Sequence, residues 1–203
     1  MSRVILYVVI CFLAKVSLAQ NLRVASRPPQ EIIQQLWMDA TSGALFTDYG
    51  INQASGFFIH PEDAGRNKPL HVISNYWAVS PPRLKGDTAE VEVGYEPLGD
   101  IDAKLRFKPA PDEGPCVTKY IMMYHLALAP TYSTMYALDG KKLTAAQKKP
   151  TGEVAWQITD ARNYRWTTVN TAIRYVLEKR DKATDPAIRE NADRTIKVLL
   201  HYQ

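Results

Sequence analysis

The sequence predicts an α+β protein: a curved antiparallel sheet of about five strands, packed by N-terminal helices and finished by a C-terminal helical hairpin. Three changes in the spacing of apolar residues carry this expectation. The spacing is helical before residue 60, alternates between residues 70 and 159, and becomes helical again after residue 168.

After "RPP", the segment "QEIIQQLWMDATSGALF" places Ile32, Ile33, Leu36, Trp37 and Ala40 on one helix face, with Gly43 as the stop. Thr47 or Asp48 then serves as N-cap for a short second helix that carries Ile51 and Ala54 into "FF". "HPEDAGRNKP" closes this zone as a loop. In the strand zone, "TAEVEVGY" alternates Ala89, Val91, Val93 and Tyr95 against Thr88, Glu90 and Glu92, which is the pattern of a sheet with one wet face. "IDAKLRF" repeats it, with Ile101, Ala103, Leu105 and Phe107 inward and Asp102, Lys104 and Arg106 outward, so "EPLGD" between them reads as a hairpin connection. "VTKYIMMYHLALA" is apolar on both alternating sets, as expected of a central strand covered on two sides. "GEVAWQIT" ends the sheet with Val154, Trp156 and Ile158 on one face, and "PPRLKGD" and "PAPDEGP" are turn punctuation. In the last zone Val169, Ala172, Ile173, Val176 and Leu177 form one stripe, and Ile188, Ala192, Ile196 and Leu199 another. Asp185 and Pro186 between them make a cap followed by a helix start. This helix pair is expected to cover the second face of the "YIMMYHLAL" strand.

The first nineteen residues read as a secretory signal peptide. Arg3 gives a basic start, Val4 to Ala14 an apolar stretch too short to span a bilayer, and Ser17 and Ala19 a small-x-small cleavage site. Residues 20–203 are then one secreted or periplasmic domain, with a core over 30–160 and the hairpin over 161–203. Loss of Arg3 and Lys15 lowers the formal charge from +4 to +2. The basic residues alternate with acidic ones, as in "LEKRDKATD", so neither a nucleic-acid face nor a membrane span is expected in the mature chain. Cys116 is the only cysteine left, which allows no internal disulfide, so stability must come from burial of a chain that is 46% hydrophobic. Cys116 itself reads as a packed thiol beside a turn. No histidine pair has metal-ligand spacing and no cofactor motif is present, so neither metal nor cofactor is expected.

A helix ending in "SGALF", a short helix leading into "FF", a meander containing "IDAKLRF" and the late strand "GEVAWQI" resemble the nuclear-transport-factor-two-like superfamily, the cystatin-like or SnoaL-like cone, over roughly residues 30 to 160. The segment "TVNTAIRYVLEKRDKATDPAIRENADRTIKVL" also resembles the C-terminal part of secreted bacterial proteins. The superfamily resemblance implies helices over the concave side of a bent sheet, with a pocket that serves either binding without chemistry or a small-molecule isomerase or dehydratase. It also implies dimerisation through the outer sheet face, which here would carry Glu90, Glu92, Lys104 and Arg106 and so be charge-matched.

His125, in the middle of "KYIMMYHLALAP", is the candidate base, because general acid–base chemistry needs an imidazole or carboxylate held in an apolar cavity. Tyr76, Trp77 and Tyr95 are its candidate partners. The competing reading of His125 is a buried structural histidine whose N–H is satisfied by a carbonyl or a tyrosine. Tyr164, Trp166, Asn170 and Arg174 form a second cluster, where arginine, amide and aromatics could hold a carboxylate. The same group more often anchors a strand-to-helix corner. The expectation drawn from these residues is a non-catalytic binding or interaction module for a small apolar or carboxylate ligand. The alternative is an isomerase, dehydratase or hydrolase that uses a pocket at His125. Intact-mass analysis of the exported protein should show a chain beginning at Gln20, and retention of the first nineteen residues would reject the cleavage assignment.

Overall fold

Paired prolines set the start of the first helix. Pro28 is held extended, Pro29 occupies the first helical turn where no N–H is needed, and α1 runs over Pro29–Ser42 until Gly43 ends it in the left-handed conformation at φ 82°. The computed structural model describes residues 23–24, 27–64, 70–111, 120–139, 142–161 and 166–203, so the expected signal peptide, Cys116 and Tyr164 lie outside the described residues. The expected stripe of α1 is the observed one, with Ile32, Ile33, Leu36, Trp37 and Ala40 all buried. A single 3-10 turn (Ala44–Phe46) leads to α2 (Asp48–Ser55), where the Thr47 hydroxyl accepts the Gly50 N–H at 2.9 Å as the N-cap. Phe58 then bridges to Ile158, which fastens the "FF" segment to the sheet.

The strands are β1 (Arg23–Val24), β2 (Leu70–Ala78), β3 (Arg83–Lys85), β4 (Thr88–Ile101), β5 (Phe107–Pro109), β6 (Tyr120–Asp139), β7 (Lys142–Ala161) and β8 (Trp166–Thr168). The chain forms two compact units. The larger is built on Pro28–Ala127 and Gln157–Gln203, and the smaller holds the Leu128–Trp156 parts of β6 and β7. In the smaller unit β1 runs parallel to β7, and Thr131 and Thr151 meet through their hydroxyls. In the larger unit the hydrogen-bonded order is β7, β6, β4, β2, β8 in a strongly curled sheet, with β3 and β5 also on β4. The sheet is antiparallel where β4 meets β2, β3, β5 and β6. β8 makes it mixed, because it lies parallel to β2 with His71 opposite Trp166.

The C-terminal pair is α3 (Val169–Lys182) and α4 (Pro186–His201), with Asp185 capping α4 by accepting the Ala187 N–H at 2.8 Å. Their apolar faces close on Leu70 and Val72 of β2 and on Ile101 and Leu105, not on β6 as expected. The hairpin follows β8 directly, and β8 is paired to β2, so the helices are delivered to the β2 end of the sheet. β6 therefore buries Met122, Tyr124 and Leu126 on one face and leaves Ile121, Met123 and His125 partly or largely in solvent on the other.

A second departure lies between β4 and β5. "EPLGD" is no turn: β4 runs straight through it, with register shifts opposite Val72 and Ile73 that mark a bulge. The turn is Asp102–Arg106, where strand was expected. One Asp102 carboxylate oxygen accepts the Lys104 and Arg106 N–H groups at 2.8 and 3.0 Å, and the other meets Arg106 Nε at 3.0 Å. Leu105 takes φ 56°, buries its side chain in the hairpin core and offers its carbonyl to the Thr195 hydroxyl. Alternating side chains cannot reveal a turn whose one buried apolar residue falls in phase with a strand. It follows that Lys104 and Arg106 are not on a sheet face.

The Arg106 backbone N–H, followed by its side chain, holds the Asp102 carboxyl below the usual carboxylate range. A group lowered in the fold contributes stability that is fully present above its ordinary value near 3.9 and is lost as pH falls through the lowered one. Asp102→Asn keeps an acceptor but removes the charge. It should lower stability by about 1 kcal/mol at neutral pH, and urea unfolding should show the gap to wild type closing on acidification below the ordinary range. A gap independent of pH would reject the assignment.

Candidate functional site

The largest described aromatic cluster centres on Trp37, which α1 aims into the sheet. Trp37 is fully buried, with Trp166 of β8 stacked on it at 4.0 Å and 15°, Tyr76 of β2 at 5.0 Å and Tyr95 of β4 at 5.7 Å. Tyr124 closes on Trp166 edge-on at 5.8 Å, and Tyr120 lies 5.6 Å from Tyr95. Three of the expected residues, Tyr76, Tyr95 and Trp166, thus converge on one that helical spacing had marked only as core.

Beside Trp37 opens a cavity of about 260 Å³ between α1 and the β2–β4 pair, lined by Gln30, Gln34, Trp37, Tyr76, Trp77 and Glu92, among others. Trp77 stands opposite Gly94 in the register, and its ring lies against the glycine so closely that a Cβ there would come within 2.4 Å of it. The missing side chain at position 94 is what seats the indole. Glu92 receives Arg83 Nη2 at 2.6 Å and the Ser80 hydroxyl at 3.3 Å, so this carboxylate arrives at the cavity already neutralised. Glu92 first, and Glu90 after it, push the Arg83 guanidinium above its already high ordinary value. Among the described residues, the buried Trp37 Nε1 and Trp166 Nε1 have no hydrogen-bond partner.

His125 is not in this cavity, nor is it buried. Its side chain is 43% exposed on the open face of β6, opposite Glu90 of β4, whose carboxylate is 3.8 Å from Nδ1. His125 is thus not the buried structural histidine expected and lines none of the described cavities, because the helices expected to cover this face pack elsewhere. Arg174 is also placed differently from a ligand clamp. It donates to the Ser42 carbonyl at 2.8 Å while Thr171 donates to that of Thr41, so the first turns of α3 hold the C-terminal end of α1. Asn170 accepts from Gln203 at 2.5 Å. The expected cluster of Trp166, Asn170 and Arg174 is therefore divided between the aromatic core and helix anchoring.

Sequence reasoning missed Gln30 and Gln34, polar residues on the rim side of α1, and Trp37 as a lining residue. It also passed over His71, whose Nδ1 meets Asp100 at 2.6 Å across the β2–β4 register. Among the described residues no group of three or more His, Cys, Asp or Glu side chains could hold a metal ion, and no helix is long and apolar enough to cross a membrane.

Gly94→Ala should displace Trp77 and destabilise the fold by about 1–3 kcal/mol through overpacking. In a Trp77→Ala background the same change should cost far less, which a double-mutant cycle with near-ultraviolet circular dichroism would read. Equal costs in the two backgrounds would show that the glycine is not there for the indole. No protein-family model, no curated protein and no solved structure matches this chain.

Proposed function

We propose that this protein is a non-catalytic binding module, exported by its N-terminal signal, that takes a small and largely apolar ligand in the cavity beside Trp37. The observation that carries this reading is the pairing of aromatic walls, Tyr76 and Trp77, with the rim amides of Gln30 and Gln34 around a cavity that Trp37 also lines. The exposed amides of Gln30 and Gln34 add donors and acceptors at the rim, where they can orient a ligand at little desolvation cost. Glu92 is neutralised by Arg83, so the site has no free anion to select for a cation.

The isomerase, dehydratase or hydrolase alternative depended on His125 within a cavity. The His125 imidazole is 43% exposed beside Glu90 and lines none of the described cavities, which favours the binding reading over that alternative. A calorimetric unfolding screen with 2-naphthol, which offers an aromatic body and one hydroxyl, tests the proposal. At about a hundred times its dissociation constant the ligand should add roughly 2.7 kcal/mol of stability. Trp77→Ala and Gln34→Ala should each reduce that gain, and His125→Ala should leave it whole. A gain lost with His125→Ala but kept in the two cavity variants would overturn the reading.

A further inference from the structure

A second concavity, sharing no lining residue with the first, lies where β2, β4 and β5 run side by side. It measures about 270 Å³ and is lined by His71, Asp100, Lys108, Tyr120, Pro97 and Pro111, among others. The register explains the charges. Asp100 stands opposite His71 on one side and opposite Lys108 on the other, so the three side chains form a row across three strands on one sheet face. Leu70 and Ile101, the next residues along, turn into the hairpin core, and the row therefore faces away from it. Gly99 allows β5 to come this near, since a Cβ there would lie 2.2 Å from the Lys108 carbonyl.

In this row the aspartate is already engaged. Asp100 Oδ1 is 2.6 Å from His71 Nδ1, while Lys108, the opposite cross-strand neighbour, makes no ion pair among the described residues. A lysine ammonium lining a concavity next to a phenol, with walls of proline and tyrosine, suits an anion that carries an apolar body. We propose that this groove binds a small organic carboxylate: the Lys108 ammonium meets the carboxylate, the Tyr120 hydroxyl donates a second hydrogen bond, and the apolar body lies along Pro97, Pro111 and the tyrosine rings. His71 is a positioning residue, which occupies Asp100 and so leaves Lys108 available.

The test is titration calorimetry with benzoate, using benzamide as its neutral isostere and inorganic phosphate as an anion without an apolar body. Benzoate should bind, and benzamide and phosphate should each bind at least about tenfold more weakly. Lys108→Gln should weaken benzoate by about tenfold or more, and Asp100→Asn should strengthen it by removing a like charge. His71→Leu should weaken benzoate by releasing Asp100 to pair with Lys108, and His71→Leu combined with Asp100→Asn should restore binding, which a purely structural role of His71 would not produce. Trp77→Ala should leave benzoate affinity unchanged. The proposal is overturned by absence of benzoate binding at about 10 mM, by benzamide or phosphate binding as tightly as benzoate, or by unaltered affinity in Lys108→Gln.

Discussion

The stack of Trp37 on Trp166 is the contact on which the rest of the larger unit depends. Two indoles 129 positions apart in the chain lie 4.0 Å from one another at 15°, one from the first helix and the other from a three-residue strand. Such a pair contributes about 0.5–1.5 kcal/mol beyond the area it buries. Its larger effect is geometric. β8 must lie at the edge of β2 for Trp166 to reach α1, and once it does, α3 leaves from Thr168 at a fixed place. The first turns of α3 then hold the last turn of α1 through Thr171 and Arg174, so the N-terminal helix is fixed both along its apolar stripe and at its end.

This arrangement has a polar cost. Both stacked indoles bury an N–H that no acceptor among the described residues meets, although nearly every buried group of this kind is ordinarily satisfied. Replacing Trp37 by an aliphatic residue would remove the orphaned donor along with the stack. The same ring both organises the core and lines the cavity, so a single truncation cannot separate the two roles.

Local signals made the helices legible. Pro28 and Pro29, Gly43, Thr47 and the Asp185–Pro186 pair act within one turn of chain, and the structure uses each as its chemistry predicts. The apolar stripes of α1 and α3 were equally clear, because helix burial follows a fixed period. What could not be read was which surface each stripe meets. The hairpin covers β2 and the end of β4 instead of β6, and that choice is made by β8, a strand too short to show a period. His125 follows from it, since one uncovered face turns an apparently central strand into a half-wet one. In the candidate site, Tyr76, Tyr95 and Trp166 were legible as aromatic strand residues. Trp37 was hidden by its place in a helix stripe, and His71 with Asp100 by a separation of 29 residues bridged only through a bulged register.

The bulge in β4 explains why one strand can serve two sites of different character. Before it, Val91, Val93 and Tyr95 are buried on the side of Trp37, while Glu90 and Glu92 face Arg83 and His125. Pro97 cannot donate to the ladder, and the pairing shifts by a residue on either side of Ile73, so the strand rotates its side chains before reaching Gly99. Beyond that point Ile101 enters the hairpin core and Asp100 turns to the opposite side, between His71 and Lys108. Without the bulge, strict alternation would have kept one face apolar and the other charged along the whole strand. With it, an apolar cavity with a neutralised carboxylate forms at one end and a charged groove with apolar walls at the other, and the Asp102 turn brings β5 back alongside that groove.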